Sequence, residues 1–184
     1  MPDLWLSITD IPAEGREFSF TDQTLWSGPW TKYGLSLRPG KPIQGHLKVV
    51  PQKHGCLVRG EISGSVVTLC DRCAEDVEIE LDSGFKIFET LSGKDHELGG
   101  SLLRKKADRI ELNAAGVLWE QFVLALPVKP LCRPDCKGLC SICGANLNIR
   151  TCDCKKEKID PRLAVLRDLI PSRGQSGKKL KDMK

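Results

Sequence analysis

The sequence predicts an α+β fold: an antiparallel β-sheet with a long hairpin, packed by one or two helices, with a cysteine-rich zinc-knuckle segment attached. Three observations carry this. Between Ile43 and Phe88 the apolar residues alternate or run in strand-length stretches, not at helical spacing. Ala114–Leu126 is almost wholly apolar and follows an asparagine suited to capping. Leu126–Cys154 holds six of the nine cysteines in a polar, turn-rich stretch.

In order, Leu4, Leu6 and Ile8 alternate with Trp5 and Ser7, which predicts a first short strand. Trp26, Pro29 and Trp30 predict a loop packed on the body; if exposed, the tryptophans could instead stack on a base. Ile43–Val50 is one strand, Cys56–Leu69 a long second, and Val77–Phe88 a third. In the third, Val77, Ile79 and Leu81 alternate with Glu78, Glu80 and Asp82, the pattern of a sheet with one wet face. Gly60, Gly64 and Gly84 interrupt these runs and mark bulges or bends. The two long strands meet at Cys70-Asp-Arg-Cys73, which puts a C-x2-C pair at a hairpin tip. Cys56, inside the strand pattern, reads as a small core residue.

Residues 92–107 predict a polar loop, and Asp108–Leu112 a further short strand. Asn113 caps a helix over Ala114–Leu126, which Pro127 ends. Asp160-Pro161 opens a last helix, with Leu163, Leu166, Leu169 and Ile170 as its apolar stripe. One domain over residues 1–170 is expected, including the cysteine-rich segment 127–158, followed by a disordered basic tail at 171–184.

The net charge is +4, and the tail accounts for it: Arg173, Lys178, Lys179, Lys181 and Lys184 stand against Asp182. The rest of the chain is balanced, so RNA contact would need a local patch or the tail. The first residues have no basic stretch leading into an apolar run, so no signal peptide is expected. The longest apolar run, Phe122–Leu126, is far short of the ~20 residues of a membrane span. A cytoplasmic protein is expected, where thiols stay reduced and clustered cysteines favour metal over disulfides.

Cys140-Ser-Ile-Cys143-Gly144 is the tightest metal signal. Two cysteines three apart, followed by a glycine free to take positive φ, aim both sulfurs at one point. A second pair from Cys152 and Cys154, or from Cys132 and Cys136, would complete one tetrahedral thiolate shell for zinc. Spacing does not choose between these pairs. Cys70 and Cys73 can join that site, act as a redox pair, or form a plain turn. The redox motif normally opens a helix, and a strand follows here.

His46, His54 and His96 are scattered without a nucleophile at motif spacing, and neither a phosphate-cradling loop nor an H-E-x-x-H motif is present. A shell of thiolates alone is the structural type of zinc site. No enzyme activity and no small-molecule substrate are expected.

Ser63–Glu89, Ala125–Asn148 and Ile159–Ile170, taken in order, resemble the YceD-like large ribosomal RNA subunit accumulation protein family of bacteria and plastids, long labelled a domain of unknown function. The resemblance covers about residues 39–170. It implies a non-enzymatic role in making or accumulating large-subunit ribosomal RNA, through that RNA or a ribosomal protein. Other members lack some of the cysteines, which implies zinc as a local stabiliser. Within the cysteine segment Lys129, Arg133, Lys137, Arg150, Lys155 and Lys156 are the candidate RNA or partner contacts. The competing readings are a cytosolic thiol redox or metal-relay protein and a zinc-ribbon accessory.

Overall fold

The computed structural model describes residues 4–91 and 102–154; the expected helix at 160–170, the tail, Lys155 and Lys156 lie outside the described residues. In chain order the elements are β1 (Trp5–Ser7), β2 (Arg16–Phe20), α1 (Thr24–Lys32), β3 (Arg38–Pro39), β4 (Gln44–Gln52), β5 (Gly55–Leu69), β6 (Asp76–Thr90), β7 (Leu103–Lys106), β8 (Arg109–Asn113) and α2 (Ala114–Ala125). The α+β class read from the sequence holds: the described residues form two antiparallel sheets and two helices.

The larger sheet is built on β5. Strand β6 pairs with it along its whole length, from Gly55↔Thr90 to Leu69↔Asp76. On its other side β4 pairs with Gly55–Ser63, β3 with Val66 and Val67, and β2 lies outside β4. The β5–β6 register runs one for one, so Gly60 and Gly84 make no bulge there. Gly64 does mark a change: its φ is +136°, and a Cβ would sit 2.8 Å from Ile43 Cα, where β4 ends and β3 takes over.

The smaller sheet has the order β1-β8-β7. Strand β7 falls inside the stretch expected to be a polar loop. Leu103, 3% exposed and opposite Leu112, anchors it; four residues are too short for alternation to stand out among lysines.

The tryptophan segment is a helix, α1, not a loop, and it is buried. Gly28 and Pro29 read as breakers, but tertiary packing overrides them. Asp22 Oδ1 accepts from the Thr24 backbone N–H at 2.9 Å, and the Gln23 side chain clamps both backbone groups of Ile43, at 2.9 and 3.0 Å. Trp26 and Trp30, one turn apart, are 1% and 6% exposed, so neither is free to stack on a base. Both pack on Phe122 of α2, with ring centroids 5.9 and 6.1 Å away. Asn113 caps α2 as expected, its Oδ1 accepting from Gly116 N at 2.9 Å. Both helices press on the sheet at Gly45, where a Cβ would meet Leu118 Cδ2 at 2.8 Å and the Trp26 ring at 3.2 Å.

The alternation in β4, β5 and β6 buries Leu47, Val49, Val58, Ile62 and Leu81 on one face, and Cys56 is fully buried with them. The opposite face carries cross-strand rows fixed by the register: Leu57 beside Phe88, then Lys48, Arg59 and Lys86, then His46, Glu61 and Gly84.

Candidate metal centre

The cysteine segment returns to the tip of the β5–β6 hairpin, and the structure gathers eight cysteines into two groups of four. Cys70 and Cys73 join Cys132 and Cys136; Cys140 and Cys143 join Cys152 and Cys154. Within each group the sulfurs all lie within 4.8 Å of one another. The sequence left one shell to be chosen from six cysteines, with Cys70 and Cys73 able to join it; the structure sets these two beside Cys132 and Cys136, so that two groups of four could each hold a metal ion.

Both C-x2-C turns have the same backbone. The Cys70 N–H donates to Glu75 O at 2.8 Å, and Ala74 N–H returns to Cys70 O at 2.9 Å. In the second turn, Cys140 N–H donates to Ala145 O at 2.8 Å and Gly144 N–H returns to Cys140 O at 2.9 Å. The residue after the second cysteine is left-handed in each, with φ 58° at Ala74 and 68° at Gly144. Such a turn aims both sulfurs and the amides between them at one point.

The first group is tied to the sheet by its own neighbours. Arg72 Nη1 donates to the Cys136 carbonyl at 2.8 Å, Leu139 N–H to Arg72 O at 2.9 Å, and Asp71 N–H to Pro130 O at 2.9 Å. Gly138, at φ 76°, passes so near that a Cβ would sit 2.9 Å from Arg72 O. Asn148 is the internal brace: Oδ1 accepts from Lys137 N–H and Arg133 Nη2, both at 2.8 Å, and Nδ2 donates to Cys136 Sγ at 3.3 Å. Asn146 links this brace to Glu75 of the hairpin at 3.2 Å. Cys70, Cys73 and Cys136 are all buried, so this is a small second core of thiols.

The donor set fits a tetrahedral thiolate shell. Zn–S bonds of ≈ 2.3 Å at tetrahedral angles put sulfurs about 3.8 Å apart. Cys70–Cys136 and Cys73–Cys132 measure 3.9 and 3.6 Å. Charge is prepared as well. Burial pushes the Cys70 thiol up, yet the backbone N–H groups of Cys132, Arg72 and Cys73 outweigh it and bring it down to about 6. The N–H groups of Cys143 and Ile142 bring Cys140 down to about 6. Burial and the neighbouring sulfurs push Cys132 up to about 12, and the Cys143 sulfur, with burial, does the same for Cys154. Burial also pushes the Cys136 thiol up, but the Asn148 amide and the Gly138 N–H outweigh it and bring it below the usual thiol range. A bound dication would favour all four thiolates of each group.

Of the candidate RNA contacts within the described residues, Lys129, Arg133, Lys137 and Arg150 are exposed on this lobe. Arg133 is engaged with Asn148 and lies 3.5 Å from Asp135. The matching of hairpin tip and knuckle was hidden by Ala74, which stands where the second turn has glycine. The equal C-x2-C spacing and a cysteine total of eight beside buried Cys56 were the available signals.

Residues 58–170 match the family described as large ribosomal RNA subunit accumulation protein YceD. An uncharacterized protein of Mycobacterium tuberculosis is 29% identical over 143 residues, covering 74% of this chain and 66% of its own length. A chloroplastic large ribosomal RNA subunit accumulation protein YCED homolog 1 of Arabidopsis thaliana is 28% identical over 149 residues, covering 66% of this chain and 46% of its own length. The Zea mays protein of the same name is 28% identical over 184 residues, with shares of 84% and 62%. The chain thus spans about half to two thirds of the length of these relatives. No solved structure matches it. With more than half of its length under the family's pattern, hairpin tip and cysteine lobe included, the chain belongs to the YceD family of large ribosomal RNA subunit accumulation proteins.

Proposed function

We propose that the chain is a non-enzymatic ribosome-biogenesis factor that supports synthesis or accumulation of large-subunit ribosomal RNA in the cytoplasm, through contact with that RNA or with a ribosomal protein. Family membership carries this reading: two relatives that match across most of the chain are named chloroplastic large ribosomal RNA subunit accumulation proteins. In this reading each cysteine quartet holds one zinc ion. Four thiolates fill the coordination sphere, so the metal cross-links the lobe and leaves no open position for a substrate. Zinc then acts as a local stabiliser that fixes the lobe to the hairpin, and the role rests on surfaces. Among the described residues no helix is long and apolar enough to cross a membrane.

A thiol redox role is the second reading, favoured by Cys70, whose thiol the surrounding backbone N–H groups hold well below the usual range despite burial. Ribosome sedimentation in cells depleted of the protein separates the two. Loss of free large subunits and of their RNA is expected. Normal profiles together with altered tolerance of thiol stress would overturn the ribosomal reading and favour the redox one.

A further inference from the structure

We propose that the open face of the larger sheet binds single-stranded RNA, with Lys48, Arg59 and Lys86 taking phosphates and Phe88 stacking on a base. This deepens the ribosomal reading by naming the surface that meets RNA, and it rests on that reading. The register places Lys48 directly opposite Arg59, and Arg59 directly opposite Lys86. Like charges opposed across strands are destabilising. Among the described residues only Lys48 has an ion pair, with Glu17 at the sheet edge, 3.2 Å away. A row of cations that costs stability, and in which Arg59 and Lys86 have no ion pair among the described residues, fits an external anion.

The neighbouring rows supply the other half of the site. Phe88, 52% exposed, stands beside half-buried Leu57 next to the cations. On the other side Gly84 faces Glu61, and a Cβ there would meet nothing within 4 Å. Packing therefore does not require glycine; it leaves a flat place in the face, where another backbone can come close. A depression of about 410 Å³ is lined by Lys48, Arg59, His46 and Ser19, with Glu17 and Glu61 at its sides. Beyond Glu61 the face turns acidic at Asp82 and Glu80, so the cations are gathered at one end.

Cations beside an exposed aromatic form a platform for unstacked bases, whose faces a duplex hides. A basic protein segment would meet like charge here. The cysteine lobe is less suited to RNA: Arg72, Lys129, Arg133, Lys137 and Arg150 are nearly balanced in number by Asp71, Glu75, Asp135 and Asp153, and each zinc tetrathiolate would add two negative charges.

The test is fluorescence anisotropy of a labelled 12-nucleotide oligouridine with the full-length, zinc-loaded chain. Changing Lys48, Arg59 and Lys86 together to Gln should weaken binding at least tenfold and lower the log–log salt slope by about 2, at ≈ 0.7 per phosphate. The melting temperature should change little, since the relieved repulsion offsets loss of the exposed Lys48–Glu17 pair. Phe88→Ala should weaken binding about 5- to 150-fold, the effect of one lost stacking partner. Lys129→Gln with Arg150→Gln should bind as the wild type does. Undiminished binding by the sheet variants, or no binding by the wild type, overturns the proposal. Rescue of large-subunit RNA in depleted cells by a chain that binds no oligouridine would sink the sheet proposal alone. Oligouridine binding through the sheet, with ribosome profiles unchanged on depletion, would sink the ribosomal reading alone.

Discussion

Exchanging the residues that follow the two C-x2-C pairs tests whether the turns are one structure used twice. Ala74 and Gly144 hold the same left-handed conformation and make the same return hydrogen bond. A left-handed residue with a Cβ costs about 1–2 kcal/mol. Glycine returns about 0.4–1 kcal/mol of that through the entropy of the unfolded chain. The Gly144 site is sterically open, because a Cβ there would meet nothing within 4 Å. Gly144→Ala should therefore lose about 0.5–1 kcal/mol from backbone strain alone, and Ala74→Gly should gain about as much. If metal binding orders these turns, the changes become about a two- to fivefold drop in affinity at the second quartet and a similar rise at the first. Competition titrations against a chromophoric chelator, run on the wild type and on each variant, read both numbers. A shift in the same direction for both variants would refute the shared-turn argument, as would a change well beyond tenfold.

Chelation should unravel residues 127–154 and loosen the hairpin tip around Cys70–Glu75 while β4 and the centre of β5 stay protected, which hydrogen exchange would reveal; loss of protection across Val49–Ile62 would mean that the metal holds the whole fold. Phe122→Ala, at a fully buried ring touching Trp26, Trp30 and Trp119, should cost about 3–5 kcal/mol in denaturant unfolding. Burial raises the pKa of Glu120, and burial with the Glu120 charge raises that of Glu89. A raised carboxylate favours the fold below its unfolded pKa and loses that advantage as pH rises through the folded value. Glu120→Gln should therefore be more stable than the wild type near neutrality and indistinguishable below about pH 4 in thermal melts; a difference that grows on acidification would contradict this. Removing Gln175–Lys184 should leave melting and metal content unchanged and lower the salt slope of binding to duplex-like RNA by no more than about 3–4, as titrations at several salt concentrations would show.

The larger sheet and α2 were legible because their signals are local. Val77, Ile79 and Leu81 alternate with acids, and Asn113 precedes an apolar run, so pleat and cap could be read directly. Helix α1 was not legible, since Gly28 and Pro29 oppose it locally. Its stability comes from Trp26 and Trp30 packing on Phe122, which is remote in sequence. The cysteine sites were half legible. Cys140 and Cys143 announce a knuckle by spacing and glycine, whereas the pairing of Cys70 with Cys136 spans 66 residues and exists only where the hairpin tip meets the returning segment. The cationic row was invisible for the same reason: Lys48, Arg59 and Lys86 become neighbours only through register.

Zinc content is the most direct measurement of the central claim, that eight cysteines make two independent structural sites. Elemental analysis of the full chain purified under reducing conditions should give two zinc ions per molecule. Cys70→Ser with Cys73→Ser should leave one, and so should Cys140→Ser with Cys143→Ser. A wild-type chain with no zinc, or a single ion lost in only one of these double variants, would contradict the account.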